Sequence, residues 1–134
     1  MRASIFTASM IAFLGFAPAS AFAAAGSYLC AIGEVHECLA VSGCKRVSPK
    51  EVNLSPFITV DLDNKKLSSV AVGRKADEED VEGITVTDKA IFLYGTQDEE
   101  TWNATISLED GTLTGGISSE ESSFALFGHC TAKP

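Results

Sequence analysis

Along most of this chain apolar and polar residues alternate with a period of two, as expected of strands that bury one face and show the other to water. Phe57-Ile58-Thr59-Val60-Asp61-Leu62 alternates in this way, and so does Leu67-Ser68-Ser69-Val70-Ala71-Val72. Between them, Asp63-Asn64-Lys65-Lys66 is rich in residues that tolerate left-handed backbone, so the two runs predict a hairpin. A second hairpin is predicted from Gly83-Ile84-Thr85-Val86-Thr87, a turn at Asp88-Lys89, and Ala90-Ile91-Phe92-Leu93-Tyr94. The third runs from Thr101 to Leu108, turns at Glu109-Asp110-Gly111 and returns through Thr112-Leu113-Thr114. Its Asp-Gly pair is the strongest turn signal in the chain.

Tyr28-Leu29-Cys30-Ala31-Ile32 and Phe124-Ala125-Leu126-Phe127 are predicted as terminal strands, and His36 to Val41 as a weaker one. Ser48-Pro49-Lys50-Glu51 has capping-box spacing with proline at the first helical position, which predicts one short turn of helix. The expected class is all-β: a small antiparallel barrel of about eight strands, up-and-down and lipocalin-like in outline, or a sandwich. Consecutive hairpins favour the barrel, since closure removes exposed strand edges. Asp77-Glu78-Glu79-Asp80 with Glu82 is the one acidic run, and it is expected to be a solvated loop.

The first residues follow a different pattern. Met1-Arg2 is a short basic start, Ile5 to Phe16 is almost unbroken apolar sequence, and Pro18 precedes an Ala21-Phe22-Ala23 site. This reads as a cleaved secretory signal over residues 1–23, leaving a single β-barrel domain over 24–134. The apolar run is too short to serve as a membrane anchor, and no second run in the chain is long enough to span.

The full chain has a formal net charge of −8, with 18 acidic residues. Loss of Arg2 takes the mature chain to about −9. Such a surface repels nucleic acid and anionic headgroups and suits a basic partner through electrostatic steering. Four cysteines, Cys30, Cys38, Cys44 and Cys130, in an exported domain read as two disulfides. Three pairings are open. Cys38–Cys44 with Cys30–Cys130 is preferred, one a local loop across Ser42-Gly43 and the other a tie between first and last strands.

Candidate chemistry is sparse. The two histidines, His36 and His129, are not embedded in a recognisable catalytic motif, and Glu34, His36 and Glu37 are expected to form an exposed polar loop. Asp61, Asp63 and Asn64 open like a calcium loop, but Lys66 and Val72 stand where that pattern needs glycine and glutamate. No catalytic residue, metal site or cofactor is therefore assigned. Trp102 shares a face with Ala104 and Ile106 and is assigned to the core, whereas Tyr94, beside Gly95, is expected at a rim.

Tyr28-Leu29-Cys30 near the mature start, Cys130 near the end, and the aromatic strand Ile91-Phe92-Leu93-Tyr94 running into Gly95-Thr96-Gln97-Asp98-Glu99 resemble one known family. This is the small periplasmic or membrane-bound inhibitors of c-type lysozyme in Gram-negative bacteria, which are eight-stranded antiparallel barrels. Of that family's Ser-Gly-x-x-Tyr motif only Ser42-Gly43 is matched, and Tyr94 replaces the lysine before the turn glycine. The resemblance implies a periplasmic or secreted binding module rather than an enzyme, occluding the cleft of a basic lysozyme or peptidoglycan hydrolase. Candidate contacts are Tyr94, Gly95, Thr96, Asp98, Glu99 and Glu100, with the acidic residues Asp77, Glu78, Glu79 and Asp80. A barrel that binds a small molecule or lipid, and a structural protein of the bacterial envelope, are the competing expectations. Oligomeric state is left open.

Overall fold

A computed structural model of the chain describes residues 24–70 and 77–134. The expected leader, residues 1–23, lies outside them, as do Ala71 and Val72 at the end of one expected strand. Ten strands are described: β1 Ser27–Leu39, β2 Gly43–Val47, β3 Phe57–Asp61, β4 Lys66–Ser69, β5 Glu78–Asp80, β6 Gly83–Val86, β7 Ala90–Gln97, β8 Glu100–Ser107, β9 Thr112–Ser118 and β10 Ser122–Ala132. They form one antiparallel sheet in the order β5-β4-β3-β1-β10-β9-β8-β7-β6, with β2 on the outer half of β1.

The two strands at the ends of this order, β5 and β6, are consecutive in the chain and separated only by Val81-Glu82. Val81 N–H donates to the Lys65 carbonyl at 3.0 Å, and Glu82 N–H donates to the Tyr94 carbonyl at 3.0 Å. One segment thus bonds first to the β4 side and then to the β7 side, and the curled sheet has its ends tied together. Val81, 3% exposed, plugs that seam. The expected all-β, disulfide-stapled architecture is present, with more strands than the eight anticipated.

Three local differences set the strands and their placing. Tyr28–Ile32 and His36–Val41 are not separate strands. β1 runs through Tyr28–Ile32 and on from His36 to Leu39, with a bulge between Ile32 and Glu34, while Ala40 and Val41 fall in the turn that follows. The additional residue resets the alternation, so Cys30 and Ile32 face inward before it and Val35 after it. Glu34, His36 and Glu37 consequently lie within β1 rather than in a loop. The run Asp77–Asp80 was expected to be a solvated loop, but Glu78–Asp80 is strand β5, because outward Glu78 and Asp80 share the Lys66 ammonium at 3.4 and 2.6 Å. Finally, Cys44–Val47 pairs with β1 although its exposed, basic sequence carries no burial signal.

Ser48–Glu51 does form the capping box: Ser48 N–H and Oγ donate to Glu51 Oε2 at 2.6 and 2.7 Å. The turn ends at once. Asn53 adopts φ 56°, Leu54 N–H bonds to the Pro49 carbonyl and Asn53 N–H to the Lys50 carbonyl, a Schellman closure. The result is a single capped turn and not a helix.

The core is one cluster with its tightest packing in one row. Ile91, Ile106 and Leu113 face each other across β7, β8 and β9, and with Tyr28, Val60 and the Cys30–Cys130 pair they are almost wholly buried. Both disulfides, Cys30–Cys130 and Cys38–Cys44, join residues directly opposed on neighbouring strands, with Cα atoms 4.0 Å apart. They mark an oxidising, extracytoplasmic environment.

Candidate functional site

One step along the same strands, the inner face changes character. Where the packed row has Ile106 and Leu113, the next row has Ala104 and Gly115, again directly opposed. Two large side chains are replaced by a methyl group and a hydrogen, and a cavity of 480 Å³ opens between the sheet walls. Ligand pockets commonly occupy about 300–1,000 Å³. Gly115 cannot take a side chain readily, since a Cβ there would stand 2.8 Å from the Asn103 carbonyl oxygen. The void is therefore built into the backbone spacing of β8 and β9.

Its walls are apolar: Ile32, Val35, Ile58, Leu67, Leu113 and Leu126 come from five strands of the sheet. Val52 and Leu54 of the capped turn cover one side. Trp102 also lines the cavity and is 9% exposed. Its indole lies over Gly95, where a Cβ would be 2.7 Å from Cζ2 and 2.9 Å from Nε1, so glycine is what lets the ring lie flat against β7. Trp102 Nε1 is buried and has no hydrogen-bond partner. A buried donor left in this state carries a desolvation penalty.

The rim is polar and acidic. Asp77 and Glu79 approach from β5 and the residue before it, and Asp98 and Glu100 from the β7–β8 turn. Asn53 and Gln97 also line the cavity. Glu79 faces inward beside Leu67, its cross-strand partner, while its neighbours Glu78 and Asp80 turn outward to Lys66. Burial raises the Glu79 carboxyl above its ordinary 4.5, and the charges of Asp77, Asp98 and Glu100 push it further the same way. Four carboxylates from two separate segments thus act on one cavity mouth. Among the described residues no three acidic, histidine or cysteine side chains stand close enough to hold a metal ion.

The sequence-derived candidates divide on this geometry. Asp77, Glu79, Asp98 and Glu100 meet at the cavity. Gly95 is inward but serves Trp102. Tyr94, expected at a rim, lies on the outer face, 57% exposed, with its ring across Gly83. Thr96 is also outward, and its hydroxyl donates to Glu82. Asp98 and Glu99 are the two residues of a tight hairpin turn, with φ of 45° and 69°. Sequence reasoning missed the capped turn as a wall and the Ala104–Gly115 pair as the source of the void. Small residues alternating inward on adjacent strands were the available signal.

The histidines lie elsewhere. His36 Nε2 donates to Glu34 Oε1 at 2.5 Å, and this bond, with Arg46 nearby, lowers the Glu34 carboxyl. His129 Nε2 donates to the Asp110 carbonyl at 2.5 Å. Neither lines the cavity. No helix among the described residues is long and apolar enough to cross a membrane, a statement that does not bear on strands. Compared with known proteins, the chain matches no protein-family model, no curated protein and no solved structure.

Proposed function

We propose that this chain is an exported, periplasmic or secreted binding module that holds the apolar part of a small amphiphile in the 480 Å³ cavity. The observation that carries the reading is the replacement of core side chains by Ala104 and Gly115 in otherwise well-packed strands, which leaves an apolar space lined in part by Trp102. Binding rather than turnover fits the lining, since carboxylates and amides surround the mouth and both histidines are engaged elsewhere. Native mass spectrometry of protein isolated from the periplasm tests it, with a co-purified mass expected. Ala104→Leu, which fills the cavity from its wall, is expected to remove that mass while the fold is retained. A ligand that stays bound to the filled variant would locate the site elsewhere.

A second reading is favoured by the acidic β7–β8 turn at the cavity mouth, which offers Asp98 and Glu100 to a basic protein. In this reading the module caps the cleft of a lysozyme or related peptidoglycan hydrolase, with charge steering the encounter. Cell-wall lysis followed with excess purified protein decides it, because undiminished lysis removes that target.

A further inference from the structure

We infer that the ligand of the cavity is a cationic amphiphile, an apolar chain or ring carrying an amine or quaternary ammonium group that sits among Glu79, Asp77, Asp98 and Glu100. This assignment rests on the cavity being the binding site and adds the chemistry of the ligand's head.

Three observations carry it. The first is the arrangement of charge. Glu79 reaches the cavity from β5, Asp77 precedes it, and Asp98 and Glu100 face them from the β7–β8 turn. Lys66, which pairs with β5, is turned to the other face of that strand and held by Asp80 and Glu78. Arg74 and Lys75 lie outside the described residues. A positive group at the mouth relieves mutual repulsion among four carboxylates, whereas an anion adds to it. The second is Trp102. Its indole lies in the wall of the same cavity, and tryptophan is the best side-chain partner for a cation presented to a ring face. The third is that the same lining carries two chemistries, aliphatic side chains from the strands and a cluster of carboxylates in which Asp77, Asp98 and Glu100 all act on Glu79. A metal ion uses only the rim, and a neutral lipid only the walls. A cationic amphiphile uses both.

Trp102 is the chain's sole tryptophan, so intrinsic fluorescence reports on this site alone. The test titrates the oxidised mature protein at low salt with decyltrimethylammonium, decanol and decanoate, all below micelle formation. The expected order of affinity is cation, then alcohol, then acid. Glu79→Gln and Glu100→Gln, measured separately, are each expected to weaken the cation roughly tenfold and to leave decanol unchanged. Added salt is expected to weaken the cation alone. Equal binding of cation and decanol, or cation binding unmoved by both variants, overturns the charge assignment and leaves the cavity reading standing. Preferred binding of decanoate overturns it too. If none of the three probes alters Trp102 fluorescence or the thermal midpoint, the cavity reading and the inference fall together.

Discussion

The two ends of this barrel are built from the same strands and differ by one step of the pleat. At the packed end, Ile91, Ile106 and Leu113 fill the interior against Tyr28, Val60 and the Cys30–Cys130 pair. One step on, Leu93, Ala104, Gly115 and Leu126 occupy the corresponding row and leave 480 Å³ between them. Backbone hydrogen bonding is continuous through both, so the sheet holds the cavity open without relying on packing inside it. The core is one cluster that continues into the cavity wall through Ile32, Val35 and Leu113, and the space opens where its side chains shrink. The two disulfides differ in position. Cys30–Cys130 is buried in the packed end, while Cys38–Cys44 lies farther along β1, beyond the cavity-lining Val35.

The comparison can be broken most directly at the disulfides. Cys30 and Cys130 are 100 residues apart, and a loop of that length is valued at about 4.7 kcal/mol by chain entropy. Cys38 and Cys44 are 6 apart, for which the same relation gives about 2 kcal/mol. Denaturant unfolding of Cys30→Ser/Cys130→Ser and Cys38→Ser/Cys44→Ser double variants should therefore show the larger loss for the first. Equal losses would contradict that ordering.

A finer contrast uses two isoleucines on neighbouring strands. Ile106→Ala at the packed end is expected to cost about 2–5 kcal/mol, as for other fully buried aliphatic truncations. Ile117→Ala, beside the cavity and only partly buried, should cost about 1 kcal/mol, because fewer contacts are lost. Chemical denaturation of both variants checks the ratio.

The β7–β8 turn offers a smaller effect. Glu99 holds φ 69° with a full side chain, a conformation in which glycine avoids the Cβ penalty. Glu99→Gly should raise stability by about 0.5–1 kcal/mol and leave probe binding unchanged, since Glu99 does not line the cavity.

The smallest expected effect is the dependence of stability on pH at Glu79. Its carboxyl titrates above 4.5 in the fold, so above that value the folded chain retains a proton that the unfolded chain has released. Stability from this group therefore falls as pH rises from 4.5 through the raised value, and below 4.5 both states are protonated. Glu79→Gln should match the parent at acid pH and exceed it at neutral pH in thermal melts. A variant less stable at neutral pH would mean that the carboxylate is compensated.

Much of the fold was legible because the strands obey a period of two. Phe57–Asp61, Ala90–Gln97 and Glu100–Ser107 contain the alternating runs read from sequence, and Gly111, with φ 78°, closes the predicted Asp-Gly turn. The misses share a cause. β5 is acidic on both faces and β2 adds only Val47 to the core, so their pairing arises chiefly from neighbours: Lys66 draws Glu78 and Asp80 together, and Cys38–Cys44 pins Gly43–Val47 to β1. The bulge near Gly33 was invisible for a similar reason, since one inserted residue looks like a break between two strands. At the site, the acidic stretches were legible singly, but their convergence was not.

Composition and alternation by themselves determined an acidic, disulfide-bonded, all-β chain, because strand burial and cysteine count are local properties of residues. Only the tertiary structure decided where that chain is hollow. A cavity is a relation between residues distant in sequence, Ala104 opposite Gly115 and Glu79 within reach of the Asp98 charge, and it exists only once the sheet has curled and the segment between β5 and β6 has bonded to both the β4 and the β7 sides.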